Sequence, residues 1–450
     1  MSTPVEISGV ENGQTPKPGG PTLRADFLWT FFGNGIYAAC QWLILVLLAK
    51  TSTPEVVGQY SLALAVATPV ITFAAFQLRS VQVSDVREEH GFRDYLGFRV
   101  WTMIAAMVIL TAICLCLRYP NETLILVEIL GAALAVEAIS DIYYGRMQSR
   151  HRMDRIAKSM IGRGVLSVFG IALVMLLTKN ILLAMLILLI CRLAVAILYD
   201  MRVSDLAGPD GVFELAFRFN VQRTLLKTAF PVGLASVLIA LNTSVPRYFI
   251  AWSVGPRELG IFAALSFFQS TGNTIVGALG QAAFGRLAQA FADHNIAKFL
   301  AILLKMTCAG LGLGLAGIVV TVFKGKQILE IMYRPEYAQQ ANLLTYLMIA
   351  AGMGYLSQFF GYAVTAARIF VAQIPLSFVV VLTLTGTCYL WVPRFGIAGA
   401  IWAIAAAMVV QLLGYSLLLF MSITRNRSQG QTGTMIRKLS VELMGCFSER

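Results

Sequence analysis

L-A-K-T-S-T-P-E-V-V-G-Q-Y-S-L-A at residues 48–63 and I-A-W-S-V-G-P-R-E-L-G-I-F-A-A-L at residues 250–265 match at one offset: Pro54 falls on Pro256, Gly58 on Gly260 and Tyr60 on Phe262. Proline suits the first turn of a helix, and glycine lets another backbone approach closely. Each stretch therefore reads as the end of one helix and the start of the next. The offset divides the chain into two halves of like sequence, about 23–205 and 206–422, with the basic segment 201–228 as the hinge between them. Halves repeated in one orientation are a common plan for transporters that rock about a central site.

Composition says what kind of helices these are. The 450 residues are 58% hydrophobic and only 13% charged, whereas a soluble domain carries about 25% charged residues. Too little polar surface exists to face water, and long apolar runs recur between charges. Twelve spans read as membrane-crossing helices, at 27–49, 60–78, 96–117, 122–144, 157–178, 181–200, 229–252, 260–284, 299–323, 338–365, 369–391 and 396–421. Each is about long enough to cross a ~30 Å hydrocarbon core. No alternating ten-residue segments suggest a β-barrel. The fold class expected is an all-α transmembrane bundle of two six-helix lobes around a central cavity. A disordered leader at 1–22 would precede it, and a basic tail at 423–450 would follow, with a weakly amphipathic run at 435–447.

The net charge of +12 sits in short loops between apolar runs, not on one soluble face, which argues for topology over nucleic-acid binding. Of the Lys and Arg residues in the loops, in the termini and at the span ends beside them, 23 fall on the side of the N-terminus and 8 on the other. The excess places both termini in the cytoplasm. Six of seven cysteines lie in apolar runs as packing residues, and the histidines His90, His151 and His294 fall in loops. No metal site and no catalytic group is expected.

Four stretches together resemble the polysaccharide transporter family, the oligosaccharide-lipid flippases within the superfamily of multidrug and polysaccharide exporters. They are A-K-T-S-T-P-E-V-V-G-Q-Y-S at 49–61, G-P-R-E-L-G-I-F-A-A-L at 255–265, M-Y-R-P-E-Y-A at 332–338 and R-F-G-I-A-G-A at 394–400. The resemblance covers about 24–421 and rests on their order and spacing, since none is a catalytic signature. It implies a flippase that carries an undecaprenyl-pyrophosphate-linked oligosaccharide from the cytoplasmic to the periplasmic leaflet of a bacterial inner membrane, for O-antigen, capsule or exopolysaccharide. It implies a cavity lined by the first, second, seventh and eighth helices. Lipid-linked oligosaccharide and membrane lipids are the expected partners, and docking of a polymerase or glycosyltransferases on the loops stays open.

Such a cargo needs fixed cations for its phosphates and amides or hydroxyls for its sugars. A charge inside a span is costly, so it should face a wet cavity or a partner. Arg247 is the leading candidate: it follows Asn242, Thr243, Ser244 and Pro246, a polar stretch where the missing proline N–H predicts a break in the seventh helix. The alternatives for it are an ion pair or an outward reach to the headgroups. Arg79, at the end of the second helix, would meet phosphate at the cytoplasmic mouth or act as an anchor, and Arg24 shares that ambiguity. Asn34, Tyr37 and Gln41 share one face of the first helix, as Gln269 and Asn273 share one face of the eighth beside Gly272 and Gly277. Their amides would bind sugar hydroxyls or join helices. On the fourth helix, Glu137 and Asp141 lie four apart. They would serve a coupling ion, H+ or Na+, or clamp Arg79, Arg163 or Arg192. Arg192 and Lys305 read as paired or snorkelling cations. No organic cofactor is expected.

Two other functions compete. A multidrug exporter of the same superfamily would want acidic walls for cationic drugs, which the fourth-helix carboxylates could supply. A membrane polymerase or glycosyltransferase would want a long outer loop or a D-x-D pair, and the sequence offers neither.

Overall fold

The computed structural model describes residues 23–85, 89–205 and 217–448, with 425–448 as backbone only. The expected leader (1–22), the middle of the expected hinge (206–216) and the side chain of Arg24 lie outside the described residues. Among the described residues all regular structure is helical. The long helices are α1 (Leu23–Thr51), α2 (Pro54–Ala75), α3 (Phe92–Cys116), α4 (Asn121–Ser149), α5 (Met153–Thr178), α6 (Ile181–Val195), α7 (Phe219–Ser253), α8 (Pro256–Ala292), α9 (Ile296–Met332) and α10 (Ala341–Ala366). A π turn, Ala196–Met201, prolongs α6.

The last helical stretch, Gln373–Ser448, is bent at Gly396, whose φ of 59° and ψ of −133° no ordinary helix residue adopts. Gly399 lies against the Trp391 carbonyl and Gly414 against Leu376, so the chain doubles back. Residues 373–395 form α11 and 397–448 form α12. Among the described residues eleven helices are long and apolar enough to span a membrane, and the last of these, Gln373–Thr424, holds 52 residues. At 1.5 Å per residue that is about 78 Å, enough for two passes of a ~30 Å core. Twelve passes result, and the chain returns to the end of the bundle where α1 began, called here the near end.

Helix starts follow from local chemistry. Thr53 is extended, Pro54 occupies the first turn and Glu55 faces the helix N-terminus. Gly255 (φ 119°), Pro256 and Glu258 repeat the arrangement at α8. Asn180 Oδ1 accepts the Leu182 and Leu183 N–H groups at the head of α6. Several helices end on a left-handed cationic or histidine residue: Arg118, His151, Lys179, His294 and Arg368. Positive charge there complements the helix dipole.

Two expectations need correction. The second helix begins at Pro54, as the proline suggests, six residues before the expected membrane span opens. It also ends earlier: Phe76 and Gln77 are left-handed and re-aim the chain, so Arg79 rides on a separate short helix, Leu78–Ser84. The break expected at Pro246 is absent, and α7 runs unbroken through Pro231 and Pro246. Neighbouring helices compensate such a lost backbone bond in a packed bundle: Pro69 inside α2 leaves the Ala65 carbonyl without its N–H partner, and Tyr248 of α7 donates to it.

The two halves pack alike. In the first, α5 lies on α1, and α4 packs on α2, α3 and α6. In the second, α11 lies on α7, with Phe249 and Tyr389 in ring contact. There α10 packs on α8 and α9 and, through Gly354 and Gly361, on Met408 and Tyr415 of α12. The first lobe is clamped by Arg163, whose Nη2 lies 2.9 Å from Asp200 on the π turn, both side chains buried. Ser159 also donates to Asp200.

The lobes meet along α2, which packs on both α7 and α8, whereas α1 and α8 barely touch beyond the Trp42–Phe267 stack. At the far end the repeat meets itself. A Cβ on Gly58 would lie 1.7 Å from the Pro256 carbonyl oxygen, and one on Gly260 would lie 1.9 Å from that of Pro54. Around this crossing Arg257 reaches Glu55 (3.7 Å) and Glu336 (3.9 Å), and Arg334 donates to the Ser52 carbonyl (3.0 Å). Gly396 sits beside Val254. All four stretches that carry the family resemblance converge on this end.

Gly58→Ala should therefore lower stability by at least about 3 kcal/mol, the upper range of overpacking costs. Gly35→Ala, where nothing lies within 4 Å, should not; unfolding of the two variants in detergent micelles gives the comparison. By the same measurement Asp200→Ala, which strands a buried guanidinium, should cost about 3–5 kcal/mol. Glu55→Ala at the half-exposed outer pair should cost no more than about 1 kcal/mol.

Candidate functional site

Between the crossing and the near end each lobe encloses a cavity. The C-lobe cavity, about 750 Å³, lies among α7, α8, α10 and α12. Four of the residues singled out from sequence line it together: Asn242, Arg247, Gln269 and Asn273. Seven side-chain amides face it, the others coming from Gln281, Gln358, Gln373 and Gln411, along with the hydroxyls of Ser266, Ser270 and Tyr362. No carboxylate is among its lining residues. Arg247 is half-buried, its Nε fully enclosed with no hydrogen-bond partner, and no acidic residue pairs with it among the described residues. Tyr60 and Tyr248 stand beside it. The Asn242 carbonyl oxygen Oδ1 is likewise enclosed and unpartnered. A cation and many amides without a counter-charge make a wall that donates to anions and to hydroxyl-rich groups.

Arg247 lies near one end of α7, not at mid-helix. Because α7 starts at Phe219 and ends at Ser253, Arg247 lies six residues, about 9 Å, from its far end. The floor of the cavity is thus close to the lobe crossing. Gly272 lets Tyr355 approach to hydroxyl contact, as expected of a small residue, while Gly277 has only ordinary neighbours.

The N-lobe cavity, about 350 Å³, is lined by α1, α2, α4 and α5, with Arg99 from α3, and collects Asn34, Arg79, Glu137 and Asp141; α1, α2 and α4 are the counterparts of α7, α8 and α10. Here the carboxylates are held. Glu137 lies 2.9 Å from Arg192 Nη1 and 4.0 Å from Arg163 Nη1, and accepts the Tyr37 hydroxyl at 2.6 Å. Asp141 lies 3.0 Å from Arg79 Nη1, and Arg79 Nε donates to Gln148 at 2.9 Å. Arg163 and Arg192 are therefore interior members of this network, paired with carboxylates, one of the roles the sequence allowed them. Asn34 is exposed and donates to the Thr30 carbonyl of its own helix. Gln41 lines neither cavity: its amide donates to Tyr37 at 3.1 Å, which joins it to the Glu137 network. Lys305 is exposed on α9.

Sequence reasoning missed several of these groups. Arg99 counts by position as a loop cation, yet it is fully buried in α3 and lines the N-lobe cavity. The signal was present: Arg99 falls three residues inside the expected span 96–117. Asp200 sits at the last residue of an expected span and read as a boundary. The glutamines of α10 to α12 were passed over because amides in apolar helices are usual interhelical glue.

Residues 23–291 match the family described as polysaccharide biosynthesis protein. The capsular polysaccharide biosynthesis protein CapF of Staphylococcus aureus is 23% identical over 396 residues, which cover 87% of this chain and 97% of CapF. In fold the chain is similar to the lipid II flippase MurJ in an inward closed conformation, with a TM-score of 0.72, 12% identity, and 92% of this chain and 93% of MurJ covered. It is also similar to an inward-facing multidrug resistance transporter of the MATE family, with a TM-score of 0.71, 11% identity, and 90% and 99% covered. The fold, a two-lobed transporter bundle, is shared with both, and the match along well over half of the sequence decides the family: the chain belongs to the polysaccharide biosynthesis protein family.

Proposed function

We propose that this protein is a flippase that moves an undecaprenyl-pyrophosphate-linked oligosaccharide from the cytoplasmic to the periplasmic leaflet of a bacterial inner membrane, for surface polysaccharide assembly. The observation that carries the reading is Arg247: a cation without a counter-ion on the wall of a large amide-lined cavity. An anionic, hydroxyl-rich head group supplies what that wall lacks. Arg247 meets negative charge on the head group, and Asn242, Gln269 and Asn273 meet sugar hydroxyls. The parted α1–α8 edge leaves the apolar tail a way to stay in lipid while the head enters. With the excess of Lys and Arg at the near end, both termini lie in the cytoplasm, the cavities belong to a cytoplasm-accessible state, and the crossing of the two repeats closes the periplasmic side.

Transport on this reading involves no covalent chemistry. The multidrug alternative loses its main support, since Glu137 and Asp141 are both ion-paired and the larger cavity has no carboxylate on its wall. CapF, named for capsular polysaccharide biosynthesis, and the lipid II flippase support a lipid-linked glycan as cargo. A coupling ion, H+ or Na+, at Glu137 would first have to displace two arginines.

Replacing Arg247 with Ala should abolish surface polysaccharide, measured by immunoblot of whole cells, at an unchanged level of membrane-inserted protein. Normal surface polysaccharide in that variant sinks the assignment of Arg247. Arg247→Lys, which keeps the charge but loses the planar fork, should retain partial export.

A further inference from the structure

Arg99 is a buried cation for which the transport reading has no use. Its side chain is entirely enclosed, with 0% exposure. Nη1 donates to the Ala75 carbonyl at 2.7 Å, while Nε and Nη2 have no partner. The nearby carboxylates are spoken for. Glu137 is neutralised by Arg192 and Arg163, and Asp200 by Arg163. Asp141 is 3.0 Å from Arg79 and is the acidic group whose field Arg99 feels. Arg79, Asp141 and Arg99 therefore form a cluster of net charge +1 on the wall of the N-lobe cavity. Gln77, Thr72 and Asn34 are its polar neighbours on the same wall. An unmatched guanidinium out of water is strongly disfavoured unless an anion completes it. The cavity, about 350 Å³, has room for a phosphate or pyrophosphate.

We propose that Arg99 and Arg79 form a second, phosphate-binding subsite in the N-lobe, with Asp141 as a resident counter-ion that the incoming phosphate displaces. The subsite rests on the transport reading for its ligand, the phosphate-bearing end of a lipid carrier. When phosphate arrives, Arg79 exchanges the Asp141 carboxylate for a phosphate oxygen, and the free donors of Arg99 gain an acceptor. When it leaves, Asp141 closes on Arg79 again. Asp141 thus weakens binding in order to permit release, which gives this carboxylate a task other than ion coupling.

The test uses the full-length protein in detergent and calorimetric titration with farnesyl pyrophosphate, farnesol and inorganic pyrophosphate. Farnesyl pyrophosphate should bind, and Arg99→Gln should weaken it about tenfold or more, the loss expected for a charge-assisted pair of hydrogen bonds. Asp141→Asn should tighten it several-fold, a gain that misfolding cannot produce, so this variant decides the matter even if Arg99→Gln does not fold. Tighter binding of farnesyl pyrophosphate than of inorganic pyrophosphate assigns the subsite to a lipid headgroup; equal binding assigns it to the free anion. Unchanged affinity in Arg99→Gln, weaker affinity in Asp141→Asn, or equal affinity for farnesol overturns the proposal. These readouts are binding constants, whereas the transport reading stands or falls on export by Arg247→Ala, so the two can fail separately.

Discussion

Two proline carbonyls rest on two glycines, each proline from the repeat opposite, and the rest of the molecule is arranged around that contact. Backbone meets backbone at Gly58 and Gly260 with no room for a methyl group. The lobes are thereby brought together at one end and left free to enclose space toward the other. The stretches 332–338 and 394–400 reinforce the same end, through Arg334 on the Ser52 carbonyl and through the Gly396 hairpin beside Val254. The four stretches that carry the family resemblance are thus about closure, and Asn242, Arg247, Gln269 and Asn273 of the C-lobe cavity lie outside them.

The lobes share a plan but not a chemistry. Three pairs of equivalent helices wall both cavities, yet the first lobe is filled with arginines and carboxylates that largely satisfy one another, and the second with amides and hydroxyls around a single unpaired arginine. A paired ionic interior is rigid, because breaking one bond strands a buried charge. An amide-lined interior is adaptable, because amides both donate and accept.

Much of the fold was legible in the sequence. Composition and span length gave the membrane bundle, and the offset of Pro54 and Pro256 gave its two halves, because proline and glycine act through the backbone and need no partner to be understood. Asn242, Arg247, Gln269 and Asn273 were found singly by their polarity in apolar runs, and the structure places them on one wall. What the sequence could not show is pairing. Whether Glu137 is free or held depends on Arg163 and Arg192, 26 and 55 residues further along, and whether Arg99 is a loop cation or a buried one depends on where Ala75 lies. Charge counts by loop also mix two causes, since Arg118, Lys179 and Arg368 occupy left-handed helix ends where the dipole favours them on either side of a membrane.

The unequal edges of the lobe interface have a consequence for how the protein can live among neighbours. Joined along α2, which packs on α7 and α8, like a book along its spine, it would part on the proposed transport reading along the fore-edge, between α1 and α8, where contact is least. Whatever crowds against it in the plane of the bilayer must leave that margin uncovered. Copies that pack side by side are free to use the outer faces of α3, α6 and α9, which take no part in the seam between α1 and α8.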